Sequence, residues 1–275
     1  MAGTLYVVAT PLGNLGDLSP RAADTLKRVA VVAAEDTRHS KPLLHHAGSR
    51  AELVSFHEHS SERALERILR ILSEGRDVAL ITDAGTPAIS DPGVALVAAA
   101  RERGVQVVTI PGPTAVAASL SVSGIPGDRY LFLGFLPRKG SDRRRLLTTI
   151  AESEWTAVVF ESPNRVAQLL ADLSEVCGAE RQAVVSRELT KVFEETRAGT
   201  LQELSEHYAE APVRGEVTVV IAGTGKERVQ EPPPNPNERA RTLLAEGLSR
   251  KDVAHRLAEE TGISRNTAYK LVSEL

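Results

Sequence analysis

Short apolar runs rich in β-branched residues alternate along the chain with longer stretches in which apolar residues recur every three or four positions. TLYVVAT, VAVVAAED, LVSF, DVALITD and VQVVTIPG have the first pattern and read as strands. SPRAADTLKRV, a short piece near SKPLLHHA, SERALERILRILSEG and GVALVAAARERG have the second and read as helices. This alternation predicts a mostly parallel sheet covered by helices, because consecutive parallel strands need a crossover to bring the chain back. The helix boundaries agree with it. Ser19 before Pro20 is a cap followed by a residue already fixed in helical φ, and Gly75 and Gly104 are helix stops.

Beyond PGPTAVAASLSVSGIPGDR the texture changes. YLFLGFLPRKG, the basic helix DRRRLLTTIAES, WTAVVFES, the helix NRVAQLLADLSEV, QAVVSREL, KVFEETRAG and GEVTVVIAG follow one another. Strands in such quick succession predict a second α/β domain with a partly antiparallel sheet, the boundary falling between residues 112 and 128. The expected organisation is an N-terminal α/β domain over 1–115, a C-terminal α/β domain over 116–225, a proline-rich linker over 226–237 that holds all but the last residue of EPPPNPNE (231–238), and a helical tail over 238–275. Within the tail, Gly262 and Ser264 interrupt the helical spacing as a turn and a cap do, so three helices ending in a helix-turn-helix are expected.

Composition narrows the setting. The 275 residues are 42% hydrophobic and 25% charged, enough chain for more than one core. Cys177 is the one cysteine; it excludes an internal disulfide and reads as a small filler at a helix end before Gly178, which fits a reducing, cytoplasmic setting. MAGTLYVVATPLGN lacks the features of a secretory signal, and no apolar stretch reaches the roughly 20 residues of a membrane helix, so a soluble protein with no membrane partner is expected. The formal charge of -3 supplies no global attraction to nucleic acid, so any such binding must come from a local patch.

The chemistry concentrates in five loops at the carboxyl ends of expected strands: TPLGNLGD (10–17), EDTRHS (35–40), FHEHS (56–60), TDAGTPAISDPG (82–93) and PGPTA (111–115). The first lacks the spacing of a dinucleotide fingerprint, and GTGKE at 223–227 lacks the upstream glycine of a Walker A loop. PLGNLGD and DAGTPAISDPG carry no lysine or arginine, while Asp17, Asp83 and Asp91 stand close by, so a phosphate would be repelled. A cationic adenosine-bearing ligand suits them better, and S-adenosylmethionine with its sulfonium charge is such a molecule. Three ordinary turns remain the plainer alternative. No metal is expected.

Taken together, VVATPLGNLGDLSPRA, EDTR at 35–38, SFHEH, TDAGTPAISDPG, PGPTA, GFLPRKG, ESPNR at 161–165, RELTKVFEE at 187–195 and GEVTVVI resemble the ribosomal RNA small-subunit methyltransferase I family, of the tetrapyrrole-methylase-like class, over residues 4–222. The resemblance implies two α/β domains of the tetrapyrrole methylase type with the cofactor in the cleft between them, the helix-turn-helix-like tail being additional. It further implies a homodimer that uses S-adenosylmethionine to methylate the ribose 2'-hydroxyl of a cytidine in the decoding region of 16S rRNA. Carried onto this sequence, it implies cofactor contacts from Pro11, Leu12, Asp83, Ala84, Gly85, Thr86, Ile89, Thr114 and Ala115, with Ser162 and Gly215 closing the site. Gly85, Thr86 and Pro87 stand where tetrapyrrole-acting relatives often have Gly-Asp-Pro, which speaks against a porphyrinoid substrate.

Methyl transfer to a hydroxyl asks for alignment and for deprotonation. The candidates for the second task are Asp36, Arg38, His57, Glu58, Glu161, Lys191 and Glu194, with Arg38 better suited to a phosphate. Equally, Glu35, Asp36 and Arg38 could cap and pair around a helix start, His57 and His59 could be ordinary surface histidines, and Lys191 with Glu194 an exposed pair. For RNA, PRKGSDRRR places Arg138, Lys139, Arg143, Arg144 and Arg145 in one loop and helix start. An aromatic content of 4% argues against a base-stacking platform and for recognition by shape, the assembled small subunit being the expected partner. Two other readings stay open: a small-molecule methyltransferase, and a ligand-sensing transcription regulator whose tail reads DNA through Arg265, Asn266, Thr267 and Tyr269.

Overall fold

The computed structural model describes residues 2–57, 60–210, 214–224, 236–261 and 263–275. Contacts divide the chain into two compact units, Met1–Thr224 and Gly225–Leu275.

The first unit holds two five-stranded sheets. In the first, β1 (Thr4–Val8), β2 (Val31–Ala34), β3 (Glu52–Ser55), β4 (Val78–Ile81) and β5 (Gln106–Ile110) run in the order β3-β2-β4-β1-β5, every neighbouring pair parallel. β2 and β4 are buried at every position, which is why they read as unbroken apolar runs rather than alternating ones. One face is covered by α1 (Pro20–Arg28) and α2 (Thr37–His46), whose Leu26 and Leu43 meet Val8, Val32 and Ile81. The other is covered by α3 (Glu62–Ser73) and α4 (Val94–Glu102), whose Leu69 and Leu96 meet Leu5, Val31 and Leu80. Ser19 caps α1 by accepting from the Ala22 N–H at 3.1 Å, and Gly75 leaves α3 at φ 82°.

The second sheet is mixed, in the order β6-β7-β10-β8-β9. It comprises β6 (Tyr130–Phe135), β7 (Thr156–Glu161), β8 (Gln182–Arg187), β9 (Glu195–Thr200) and β10 (Val217–Ile221); β6 and β7 are parallel and the remaining pairs antiparallel. α6 (Ser141–Glu152), α7 (Val166–Cys177) and α8 (Leu201–Glu210) pack on one face, and α5 (Ala115–Ser123) places Val116 against Val158, Val184 and Val220 on the other. Neither α5 nor α8 is anticipated by the pattern of the sequence. The small residues of AVAASLSVS leave α5 without a distinct polar stripe, so the 3.6-residue signal is missing there. Cys177 packs against this second core, and burial raises its thiol pKa, as suits an inert filler.

The second unit is a three-helix cluster. α9 (Pro236–Ala245), α10 (Arg250–Thr261) and α11 (Arg265–Ser273) enclose Leu243, Val253, Leu257, Ala268 and Val272. Ser264 caps α11 through the Thr267 N–H at 3.2 Å. Pro236 opens α9, so helix begins within the last positions assigned to the linker; residues 225–235 and Gly262 lie outside the described residues. Among the described residues, no helix is long and apolar enough to cross a membrane, and no group of three His, Cys, Asp or Glu residues could hold a metal ion.

Candidate active site

Because β4, β1 and β5 are adjacent, the loops at their carboxyl ends lie side by side. Backbone bonds tie the first two together: the Thr10 N–H donates to Gly85 O at 2.8 Å, and the Gly85 N–H returns to Thr10 O at 3.1 Å. The Thr86 hydroxyl joins the third loop by donating to Pro113 O at 3.3 Å. Gly85 sits at φ 80°, a backbone region that glycine enters without strain. These loops form one wall of a cavity of about 330 Å³; the opposite wall comes from Phe135 on β6, from Phe160, Glu161 and Ser162 at the end of β7, and from Gly215 to Thr218 at the entry to β10. The lining is mostly apolar. Its charged members are Asp91, Glu161 and Glu216, with no lysine or arginine among them.

Of the residues expected at a cofactor, Leu12, Ala84, Gly85, Thr86, Ile89, Thr114, Ala115, Ser162 and Gly215 all line this cavity. Pro11 and Asp83 are not part of it. Asp83 turns to α2 instead, accepting from the Asp36 N–H at 3.2 Å and standing 3.3 Å from His39 Nδ1. Sequence reasoning misses Ser90, Asp91, Phe135, Phe160, Glu216 and Thr218 as lining residues, and the structure adds them. Asp91 carries a visible signal, an acid inside a loop already suspected. Phe135 and Phe160 carry little, being strand residues whose rings meet edge to face at 5.6 Å.

The candidate bases are brought together less well. Asp36 caps α2, accepting from the Arg38 N–H at 2.7 Å and from Arg38 Nη2 at 2.7 Å. The Arg38 guanidinium holds the Asp36 carboxyl well below the usual carboxylate range. Such an acid is a poor proton acceptor, and the capping alternative describes the pair. His57 is exposed, its N–H bonded to the Ser60 hydroxyl, and Glu58 lies outside the described residues. Glu194 caps its own loop by accepting from the Thr190 N–H at 2.8 Å. Lys191 is a clasp: its Nζ reaches Glu188 at 2.9 Å and Glu216 at 3.0 Å, and its stem lies so close to Gly13 that a Cβ there would meet Lys191 Cγ. Burial pulls its pKa down, but the two carboxylates outweigh burial and the net displacement is upward, so the amine stays charged and cannot act as a base.

The comparisons with known proteins bear on this cavity. The family model described as Tetrapyrrole (Corrin/Porphyrin) Methylases matches residues 4–205. "Ribosomal RNA small subunit methyltransferase I" of Synechocystis sp. is 44% identical over 99% of this chain and 98% of its own. The protein of the same name from Pseudomonas aeruginosa is 45% identical over 98% and 96%. The chain belongs to the ribosomal RNA small subunit methyltransferase I family. Among solved structures, a cobalt precorrin-4 methyltransferase of cobalamin biosynthesis superposes with a TM-score of 0.64 at 19% identity, covering 80% of this chain and 94% of its own. A uroporphyrin-III C-methyltransferase from Thermus thermophilus, complexed with S-adenosylhomocysteine, gives 0.59 at 20%, covering 81% and 98%. At such identities these two speak for the fold. Membership of an enzyme family also displaces the reading as a ligand-sensing regulator.

A ribosomal RNA methyltransferase needs a cationic surface, and here the structure corrects an expectation. Arg138, Lys139, Arg144 and Arg145 are exposed, but Arg143 is buried. Its guanidinium donates to Asp172 Oδ2 through Nε at 3.0 Å and Nη2 at 2.5 Å, and to Pro137 O through Nη1 at 3.0 Å. All three nitrogens of the fork are engaged, so Arg143 braces α6 against α7 and is not presented to a phosphate. Arg38, also expected to meet RNA, is 86% exposed on its side chain while paired with Asp36.

Proposed function

We propose that this methyltransferase uses S-adenosylmethionine to methylate the ribose 2'-hydroxyl of a cytidine in the decoding region of 16S rRNA, acting as a cytoplasmic homodimer on the assembled small subunit. The observation that carries the cofactor assignment is the cavity itself: apolar, bounded by backbone-rich loops, and charged only by carboxylates. A sulfonium is favoured there and a phosphate is not. When bound, the cofactor supplies an electrophilic methyl group.

The chain's own residues supply the rest. Gly85, Thr86 and Ala115 border the space from the first sheet, Ser162 and Gly215 from the second, so the two sheets act as two lobes around one ligand. Holding the reacting oxygen in line with the methyl carbon is worth roughly 7–11 kcal/mol. A positioned base adds about 100- to 10,000-fold, roughly 3–5 kcal/mol. Alignment therefore carries the larger share. Arg138, Lys139, Arg144 and Arg145 supply the exposed cations for the RNA backbone.

The test is transfer from a methyl-labelled donor to assembled small subunits, to naked 16S rRNA and to duplex DNA, followed by nuclease digestion and mass spectrometry. Label confined to assembled subunits, recovered as a 2'-O-methylcytidine, is the expected result. Label on a nucleobase would overturn the assignment of the acceptor. Equal labelling of naked RNA would overturn that of the particle.

A further inference from the structure

Three carboxylates line the cavity, and two of them are already engaged. Glu161 Oε1 accepts from the Ser162 N–H at 2.7 Å, and its Oε2 pairs with Arg165 at 2.7 Å, which fixes the turn after β7. Glu216 Oε2 is held by Lys191 at 3.0 Å, and its side chain is 74% exposed. Asp91 differs from both. It is half-buried and forms no ion pair with any described residue; its charged neighbours are Glu35 at the end of β2, Asp83 at the end of β4 and Glu216 before β10, all carboxylates. The basic side chains that meet these carboxylates serve others: the His39 ring stands against Asp83, and the Lys191 ammonium pairs with Glu216.

The loop carrying Asp91 is held in an unusual shape. Ala88 and Ser90 both adopt positive φ, 68° and 60°, in a region where non-glycine residues are strained by about 1–3 kcal/mol each. The Ala88 N–H closes the turn onto Pro92 O at 3.3 Å. Gly134 on β6 lets Ser90 approach so closely that a Cβ there would lie 2.8 Å from Ser90 Oγ. Strain of this kind persists where surrounding structure imposes it, and here it fixes the residue preceding Asp91 against the opposite lobe.

We infer that Asp91 is the base of the reaction, accepting the proton of the RNA hydroxyl that attacks the methyl group. This rests on the acceptor being a hydroxyl, as proposed above. The hydroxyl oxygen bonds to the methyl carbon while the carbon–sulfur bond leaves its electron pair on sulfur as a neutral thioether; the hydroxyl proton passes to Asp91 and then to solvent. Burial first, then the charge of Glu35, raises the Asp91 carboxyl to about 6, the Thr82 hydroxyl offsetting this in part and Asp83 and Glu216 adding to it. A base so poised is ionised at neutral pH yet basic enough to take a proton as the bond forms.

The variants are Asp91→Asn, which keeps the shape, and Asp91→Glu, which keeps the charge. Three readouts apply: single-turnover methylation of small subunits from pH 5 to 9, calorimetric binding of S-adenosylhomocysteine, and melting of the ligand-free protein. Wild type should gain rate up to about pH 6 and then level off. Asp91→Asn should lose about 100- to 10,000-fold in rate together with that rising limb, and Asp91→Glu should recover part of both. Binding of S-adenosylhomocysteine should change by less than about threefold, because a neutral thioether gains little from the charge of Asp91. The free protein supplies an independent check. A raised carboxyl pKa means that ionisation opposes folding above it, so Asp91→Asn should melt higher than wild type at about pH 7.5, and the gap should shrink at about pH 4.5. A rising limb that survives in Asp91→Asn, or a loss confined to S-adenosylhomocysteine affinity, overturns the inference. A wild-type product other than a 2'-O-methyl nucleotide overturns the proposed acceptor instead, which keeps the two failures apart.

Discussion

Gly85→Val should lower the affinity for S-adenosylhomocysteine by roughly 30- to 150-fold and leave the chain folded. Gly85 lies at φ 80°, where an L-residue is opposed by about 1–2 kcal/mol and a β-branched one by more. A Cβ there would sit 3.4 Å from Leu12 Cδ2 and 3.8 Å from Pro113 O, so the valine methyls would have to enter the space between the first and third loops. Relief requires the loop to swing, which would break the paired Thr10–Gly85 backbone bonds that hold two loops of one cavity wall together. Together these effects amount to about 2–3 kcal/mol of binding, at 1.4 kcal/mol per tenfold. Gly85→Ala is the graded control. Its Cβ meets neighbours only at ordinary van der Waals distance, so it should retain more affinity than valine does. Calorimetry reads the affinity and thermal melting reads the fold. Unchanged binding by Gly85→Val would mean that this cavity does not hold the cofactor.

The parts of the fold that are legible in the sequence are those where local chemistry and burial agree. β2 and β4 are buried on both faces, so their apolar runs need no partner to interpret them. Ser19 and Ser264 cap the helices at which serine precedes a helical pattern. The loops of the first sheet are legible as a site because a parallel sheet delivers its strand ends to one edge, and glycine, proline and acids collect there. The aromatic part of the second lobe is not, for a physical reason: Phe135 and Phe160 are strand residues, and only the shifted register that pairs them across β6 and β7 brings both rings to the cavity. Charged residues mislead most. EDTR suggests side chains gathered at a pocket edge, yet Asp36 and Arg38 satisfy each other at a helix start. Along the chain Asp91 is one of several acids, and what sets it apart, a shortage of cations in space, leaves no mark in the sequence.

The run DRRR should separate into a structural and an RNA-facing part when mutated one residue at a time. Arg143, Leu147 and Ile150 stand at i, i+4 and i+7, and all three are buried; Arg144 and Arg145 are rotated off that stripe and exposed. Arg143→Ala removes one partner of a largely buried pair and leaves Asp172 and Pro137 O without this donor. Such losses amount to about 3–5 kcal/mol when the abandoned charge is fully enclosed. Asp172 keeps 23% of its side chain exposed, so about 2–4 kcal/mol is expected here. In a unit of this size that is a drop of roughly 5–15 °C in melting temperature. Arg144→Ala with Arg145→Ala should leave melting unchanged, because Arg144 forms no ion pair with a described residue and Arg145 approaches Asp142 only at 3.8 Å on the surface. The double variant should instead weaken binding to small subunits and reduce the slope of log affinity against log salt by about 2, one unit for each phosphate that is no longer neutralised. If Arg143→Ala melted like wild type and bound RNA more weakly with a shallower salt slope, Arg143 would have to leave Asp172 in solution. The basic face would then include it after all.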